Sequence, residues 1–293
     1  MNILDQVKSV SVWKNGNHRA IHKPLALLIV LGSYCNRGQR LMAFDVFSKK
    51  FSELIHYFGT KRTKDNPHYP FWRLKNDGSL WQVESSSSLS VNSKGDVLKS
   101  ELASRNIHAG FNEIAYNYFK EDKNNIVAAA KEVLQNHFPE TLHSELLQAV
   151  GIEVEFINKR VRDPEFRGKI LRAYMHQCAV CEFNVRLNDK SICIEAAHVK
   201  WHAAGGFDYE INGIALCSLH HKLFDKGAFS LNYDHRILVS EEVSGTIGLN
   251  EHLLKFHGRK LVEPIRDSYK VCEESIAWHN NEVLNGDFRE SGQ

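Results

Sequence analysis

The 293-residue sequence predicts an α+β protein of two domains: a mainly helical N-terminal domain with a small β-hairpin, 1–152, and a metal-organised strand–strand–helix module, 153–293. Three observations predict it. A chain of this length exceeds one domain of ordinary size. Apolar residues recur at helical spacing through the first half. From Cys178 onward the character changes to short strands, glycines, histidines and cysteines.

Pro24 opens an apolar helix over 24–31, where its missing N–H costs nothing, and Gly32 is read as the stop. Phe44, Phe47, Phe51, Leu54, Ile55 and Phe58 form a second helical stripe before Gly59, and this stripe is core. A basic loop, KRTKDNPHYP, follows. The run FWRLKNDGSLWQV then reads as two strands turning at Asn76-Asp77-Gly78. Further helices are expected over 100–119, 125–138 and 140–150. A basic connector, 157–172, leads to strands over 192–198 and 214–216, a helix from Ser218, and a tail, 253–284, that packs back as a strand and a helix.

Apolar residues make up 43% and charged residues 25% of the chain, the balance of a globular protein with ample core. The longest apolar run is too short to cross a bilayer, and the start lacks a secretory pattern, so the expected location is the cytoplasm, with no membrane partner. A net charge of +2 does not by itself announce a nucleic-acid partner. The total hides basic clusters at Lys61, Arg62 and Lys64 and at Lys159, Arg160, Arg162, Arg167, Lys169 and Arg172, each readable as a solvated face or as a phosphate contact.

Of six cysteines, Cys35, Cys193 and Cys272 stand alone and read as packing residues. Cys178-Ala-Val-Cys181 and Cys217-Ser-Leu-His220 pair as C-x2-C and C-x2-H, each offering two ligands at the reach of a tetrahedral zinc. Such a zinc is structural, because no position is left for substrate; the competing reading is buried cysteines without metal. Between and beside these knuckles lie Glu195-Ala-Ala-His198, Gly205-Gly206, Asn212-Gly213 and His220-His221, leading to Phe224-Asp225-Lys226-Gly227. This region resembles the HNH (ββα-metal) nucleases in the spacing of His198, Asn212 and His221. The resemblance implies hydrolysis of DNA phosphodiesters. His198 would be the general base, Asn212 the residue holding its loop, and His221 a ligand of one catalytic Mg2+ or Mn2+. A histidine suits the first role because its unperturbed pKa lies near neutrality, and a divalent ion supplies Lewis acidity and clamps the leaving oxygen. Many members of that family carry an aspartate immediately before the first histidine; here Ala197 stands there. Glu195, two positions earlier on the same strand face, either supplies the missing carboxylate or is a salt-bridging surface residue. His202 reads as a loop residue and Asp225 as fixing the turn.

In the first half, Arg19, His22 and Lys23 precede the first helix, and Tyr69-Pro70-Phe71-Trp72 follows the basic loop. Together with the nuclease motif this resembles restriction endonucleases of defence systems that cut phosphorothioate-modified double-stranded DNA through an N-terminal sulfur-binding domain. The resemblance puts Tyr69 and Pro70 in an apolar cup for sulfur and His22 and Lys23 beside the modified phosphate. Arg19 and the basic residues at 61–64 would hold neighbouring phosphates. A phosphate oxygen buried in such a cup would be left unpaired, at about 1–3 kcal/mol, or up to roughly 150-fold. Tyr-Pro-Phe-Trp also reads as a loop packing on the core. Two other functions fit less well: an HNH endonuclease dependent on a modified cytosine, flipped against Trp72 or Trp81, and a zinc-stabilised DNA-binding protein without catalysis. Double-strand cutting by one small site calls for a homodimer or two binding events.

Overall fold

The structure, a computed structural model, describes residues 2–15, 18–59, 63–152 and 164–289. These divide into two compact units, the first lying within 1–158 and the second within 159–293. The boundary expected after Ile152 adjoins 153–163, which lie outside the described residues, as do Lys61, Arg62, Lys159, Arg160 and Arg162.

In the first unit α1 (Ile3–Lys8) leads to a two-stranded ribbon, β1 (Lys14–Asn15) and β2 (His18–Arg19). Next comes α2 (His22–Arg37), buried along its whole run from Pro24 to Gly32. A helix apolar all round must be central, and α2 packs against helices on several sides. Gly32 does not end it: a Cβ there would lie 2.0 Å from the Val150 carbonyl oxygen, so glycine serves a close helix crossing. After β3 (Leu41–Ala43), α3 (Phe44–Phe58) turns its aromatic stripe inward, with Phe47 stacked on Phe51 at 5.6 Å.

The hairpin expected over 71–83 does not form. Phe71 and Trp72 belong to α4 (His68–Arg73), and a turn of 3-10 helix carries the chain to Asn76. Phe71, Trp72 and Leu74 fill the core as a helical face, which outweighs their β preference. Only β4 (Trp81–Val83) is a strand. The helix expected over 100–119 breaks into α5 (Lys99–Ser104), β5 (His108–Phe111) and α6 (Glu113–Glu121), because Asn106 adopts a left-handed φ of 47° and Asn112 caps α6 by accepting the Ala115 N–H. β5 lies between β3 and β4 in an antiparallel sheet. Helices α7 (Lys123–His137) and α8 (Glu140–Val150) close the unit.

The second unit starts with α9 (Pro164–Ala173), a ribbon of β6 (Arg186–Leu187) and β7 (Lys190–Ser191), then β8 (Ile194–His198), β9 (Gly213–Cys217) and α10 (Ser218–Asp225). β8 and β9 are antiparallel, with His198 opposite Gly213 and Ile194 opposite Cys217. This is the β–β–α order expected. A hairpin of β10 (Phe229–Leu231) and β11 (Ile237–Val239), a short α11 (Leu249–His252) and α12 (Glu273–Glu282) complete it. The strand expected within 253–284 reduces to an isolated bridge between Arg236 and Lys260. Among the described residues no helix is long and apolar enough to cross a membrane.

Candidate active site

A tight turn after Cys178 and the junction of β9 with α10 bring the two ligand pairs together. The Cys178 N–H donates to the Phe183 carbonyl and the Glu182 N–H to the Cys178 carbonyl, while Ala179 N–H donates to Ala215 in β9. Cys178, Cys181, Cys217 and His220 thereby place their ligand atoms within 4.8 Å of one another. His220 Nδ1 lies 3.1 Å from Cys217 Sγ and 3.6 Å from Cys178 Sγ, on either side of the edge of about 3.5 Å that a tetrahedron with metal bonds of about 2.0 and 2.3 Å would have. His220 Nε2 donates to the His252 carbonyl at 2.8 Å, which fixes Nδ1 as the coordinating nitrogen. Three thiolates and an imidazole fit zinc, and they fill its coordination.

A second cluster joins β8 to α10. His221 Nδ1 lies 2.6 Å from Glu195 Oε2, and Ser218 Oγ donates to Glu195 Oε1 at 2.9 Å. The other ring nitrogen, Nε2, faces Asp225 Oδ2 at 3.4 Å, and Asp225 Oδ1 accepts the Trp201 indole N–H at 3.1 Å. The 2.6 Å separation is that of a hydrogen bond in which the Nδ1–H donates to the Glu195 carboxylate, and Nε2 faces Asp225 at the longer distance. This oxygen–nitrogen donor pair suits a divalent ion that keeps positions for water and phosphate oxygens.

The third cluster lies at the other end of β8. Asn212 is fully buried; its Oδ1 accepts the Lys200 N–H at 2.8 Å, and its Nδ2 donates to the carbonyls of Lys200 and Phe207, each at 3.0 Å. It thus laces both sides of the loop between His198 and β9. His198 Nε2 pairs with Asp208 Oδ1 at 2.7 Å, and its ring stacks on Phe166 of α9 at 4.0 Å. His202 is exposed in the same loop. Sequence reasoning missed Asp208 and Phe166; only the acidic loop position four residues before Asn212 hinted at the first.

In the first unit, His22 Nε2 is bonded to the Lys64 carbonyl at 2.7 Å. Lys23 Nζ is held by Asp77 at 2.5 Å and by Ser11 at 2.8 Å. Burial lowers the pKa of Arg19. Tyr69 is 37% exposed, whereas Pro70 is buried. The Tyr69 ring is flanked by the Arg73 guanidinium at 4.5 Å and the His68 ring at 4.1 Å. Arg73 in turn donates two bonds of 2.6 Å to the buried Asp96, and these hold the Asp96 carboxyl below the usual carboxylate range.

Residues 1–155, more than half of the chain, match the ScoMcrA-like DNA sulfur-binding domain. The chain belongs to this family. In this ScoMcrA-like chain, residues 178–232 also match the HNH endonucleases, so it is a DNA endonuclease, and its HNH domain implies use of a divalent metal. Three solved structures are similar. The sulfur-binding domain of ScoMcrA complexed with phosphorothioated DNA is 24% identical, with TM-score 0.46, covering 52% of this chain and 96% of that one. A sulfur-binding and SRA domain pair of ScoMcrA complexed with phosphorothioated DNA is 22% identical, with TM-score 0.48, covering 68% of each. The Type IV phosphorothioation-dependent restriction endonuclease ScoMcrA is 22% identical, with TM-score 0.43, and the match spans 55% of this chain but only 31% of that protein. No curated protein matches the chain.

Proposed function

We propose that the protein is a restriction endonuclease that hydrolyses double-stranded DNA carrying phosphorothioate linkages, with 1–152 binding the modified backbone and 153–293 cutting. The Glu195–His221 pair, only 2.6 Å apart and on the strand that ends in His198, carries the catalytic reading. Glu195 and His221 hold one Mg2+ or Mn2+, which supplies charge stabilisation at the phosphate. His198 takes the proton of the attacking water, Asn212 keeps its loop in register, and the products are 3′-hydroxyl and 5′-phosphate ends. The Cys178, Cys181, Cys217 and His220 site holds a structural Zn2+.

On the first unit, the edge of Tyr69 receives the sulfur beside Pro70. Its ring is backed by a guanidinium that Asp96 prevents from swinging away. His22 and Arg19 contact phosphates, which position the duplex without reading its bases. Lys23 joins them by sharing its charge between Asp77 and DNA. The modified-cytosine alternative is disfavoured because Trp72 and Trp81 are only 3% and 4% exposed, and their indole N–H groups already bond Gly95 and Phe71 carbonyls. His198→Ala is expected to abolish cleavage while leaving modified-DNA binding intact, and Glu195→Gln to raise the manganese requirement at least tenfold. Cleavage by His198→Ala at the wild-type rate would remove the base from this mechanism.

A further inference from the structure

We propose that Asp208 is a positioning residue for His198, acting through the imidazole rather than on DNA or metal. The inference rests on His198 being the general base. That role needs one ring nitrogen with a lone pair toward the water and a ring that does not rotate away from it.

The geometry bears on the tautomer and on the orientation of the ring. Asp208 Oδ1 lies 2.7 Å from His198 Nε2, so a carboxylate there accepts the Nε2–H and selects the tautomer whose basic nitrogen is Nδ1. Phe166 lies under the ring at 4.0 Å with only 13° between the planes, which opposes rotation about the ring axis. Gly213, opposite His198 in the β8–β9 register, makes that shelf possible: a Cβ at 213 would stand 2.9 Å from Phe166 Cζ. Asn212 connects the parts. One amide nitrogen bonds Lys200, two residues after His198, and Phe207, immediately before Asp208. The same side chain therefore sets the base and its carboxylate at a fixed separation.

During hydrolysis the water proton moves to His198 Nδ1 and the hydroxide oxygen bonds to phosphorus. The bond from phosphorus to the 3′ oxygen breaks, and that oxygen takes a proton from solvent. Asp208 stabilises the imidazolium through its contact with Nε2 without receiving the proton. The Asp208 side chain is 35% exposed, so solvent screens part of its charge, and its effect is smaller than that of a buried triad carboxylate.

The test uses the full chain loaded with zinc and manganese. Asp208→Ala is expected to slow single-turnover cleavage of modified duplex about 30- to 300-fold. The dissociation constant for that duplex and the zinc content should not change, and Asp208→Glu should recover part of the rate. In 15N-histidine NMR, with the His198 signals assigned by their loss in His198→Gln, wild type should show the Nε2–H tautomer and Asp208→Ala a mixture. A wild-type rate in Asp208→Ala beside an inactive His198→Ala would overturn the inference and leave the general base standing. So would a slow Asp208→Ala with an unchanged tautomer, or one restored by excess manganese, which would make Asp208 a metal ligand. Full activity in His198→Ala would instead remove the underlying reading.

Discussion

Asn212→Asp changes one atom group in a fully buried side chain, and the structure fixes what that exchange does. Oδ1 can still accept the Lys200 N–H, but the amide nitrogen that donates to the carbonyls of Lys200 and Phe207 becomes an oxygen facing two other oxygens at 3.0 Å. Losing two buried hydrogen bonds and stranding their acceptors costs about 3–5 kcal/mol. The new carboxyl can recover one bond by staying protonated, so its pKa in the folded state lies above the unfolded value. A raised folded pKa contributes stability below the unfolded pKa and loses it as pH rises through the folded one. The variant is therefore least damaged in acid and most damaged at pH 8. There the second unit should melt on the order of 10 °C lower, read by calorimetry at several pH values against wild type. A melting temperature within one degree of wild type at pH 8 would refute the claim that this amide ties the loop.

Tyr69→Ala should weaken binding to phosphorothioated duplex 10-fold or more while barely changing binding to the unmodified duplex, measured by fluorescence anisotropy; equal losses on both would argue against a sulfur cup. Cys181→Ser should lose stoichiometric zinc by elemental analysis and destabilise the second unit, and full zinc retention would count against the four-ligand site. Burial pushes His279 down to about 3 and His137, beside Arg19, to about 4, from an ordinary 6.5. Each depressed histidine stabilises its unit above pH 6.5 and loses that contribution as pH falls toward the folded value. Each unit should therefore be about 2 kcal/mol less stable at pH 5 than at pH 8 from this cause, and His279→Gln should flatten the dependence in the second unit.

Local spacing is what made the metal chemistry legible. The two knuckles are short-range patterns, and the structure brings Cys178, Cys181, Cys217 and His220 together. The order of β8, β9 and α10 was readable for the same reason. What the sequence concealed depends on register and on contacts between distant elements. Phe166 reaches His198 from α9, and Asp208 reaches it across a loop laced by Asn212. In the first half, Phe71 and Trp72 have strand-like side chains yet lie in a helix because the core claims them, and β5 hides in a helical-looking run that turns at Asn106. Lys23 looks like a free cation in sequence, but Asp77, 54 positions away, already holds it.

The most direct measurement is incubation of supercoiled plasmid, phosphorothioated or ordinary, with manganese or with chelator, scored for linear product. Linear DNA should form only where sulfur and manganese are both present. Equal cutting of ordinary plasmid, or an intact modified plasmid in manganese, would contradict a sulfur-directed, metal-dependent nuclease.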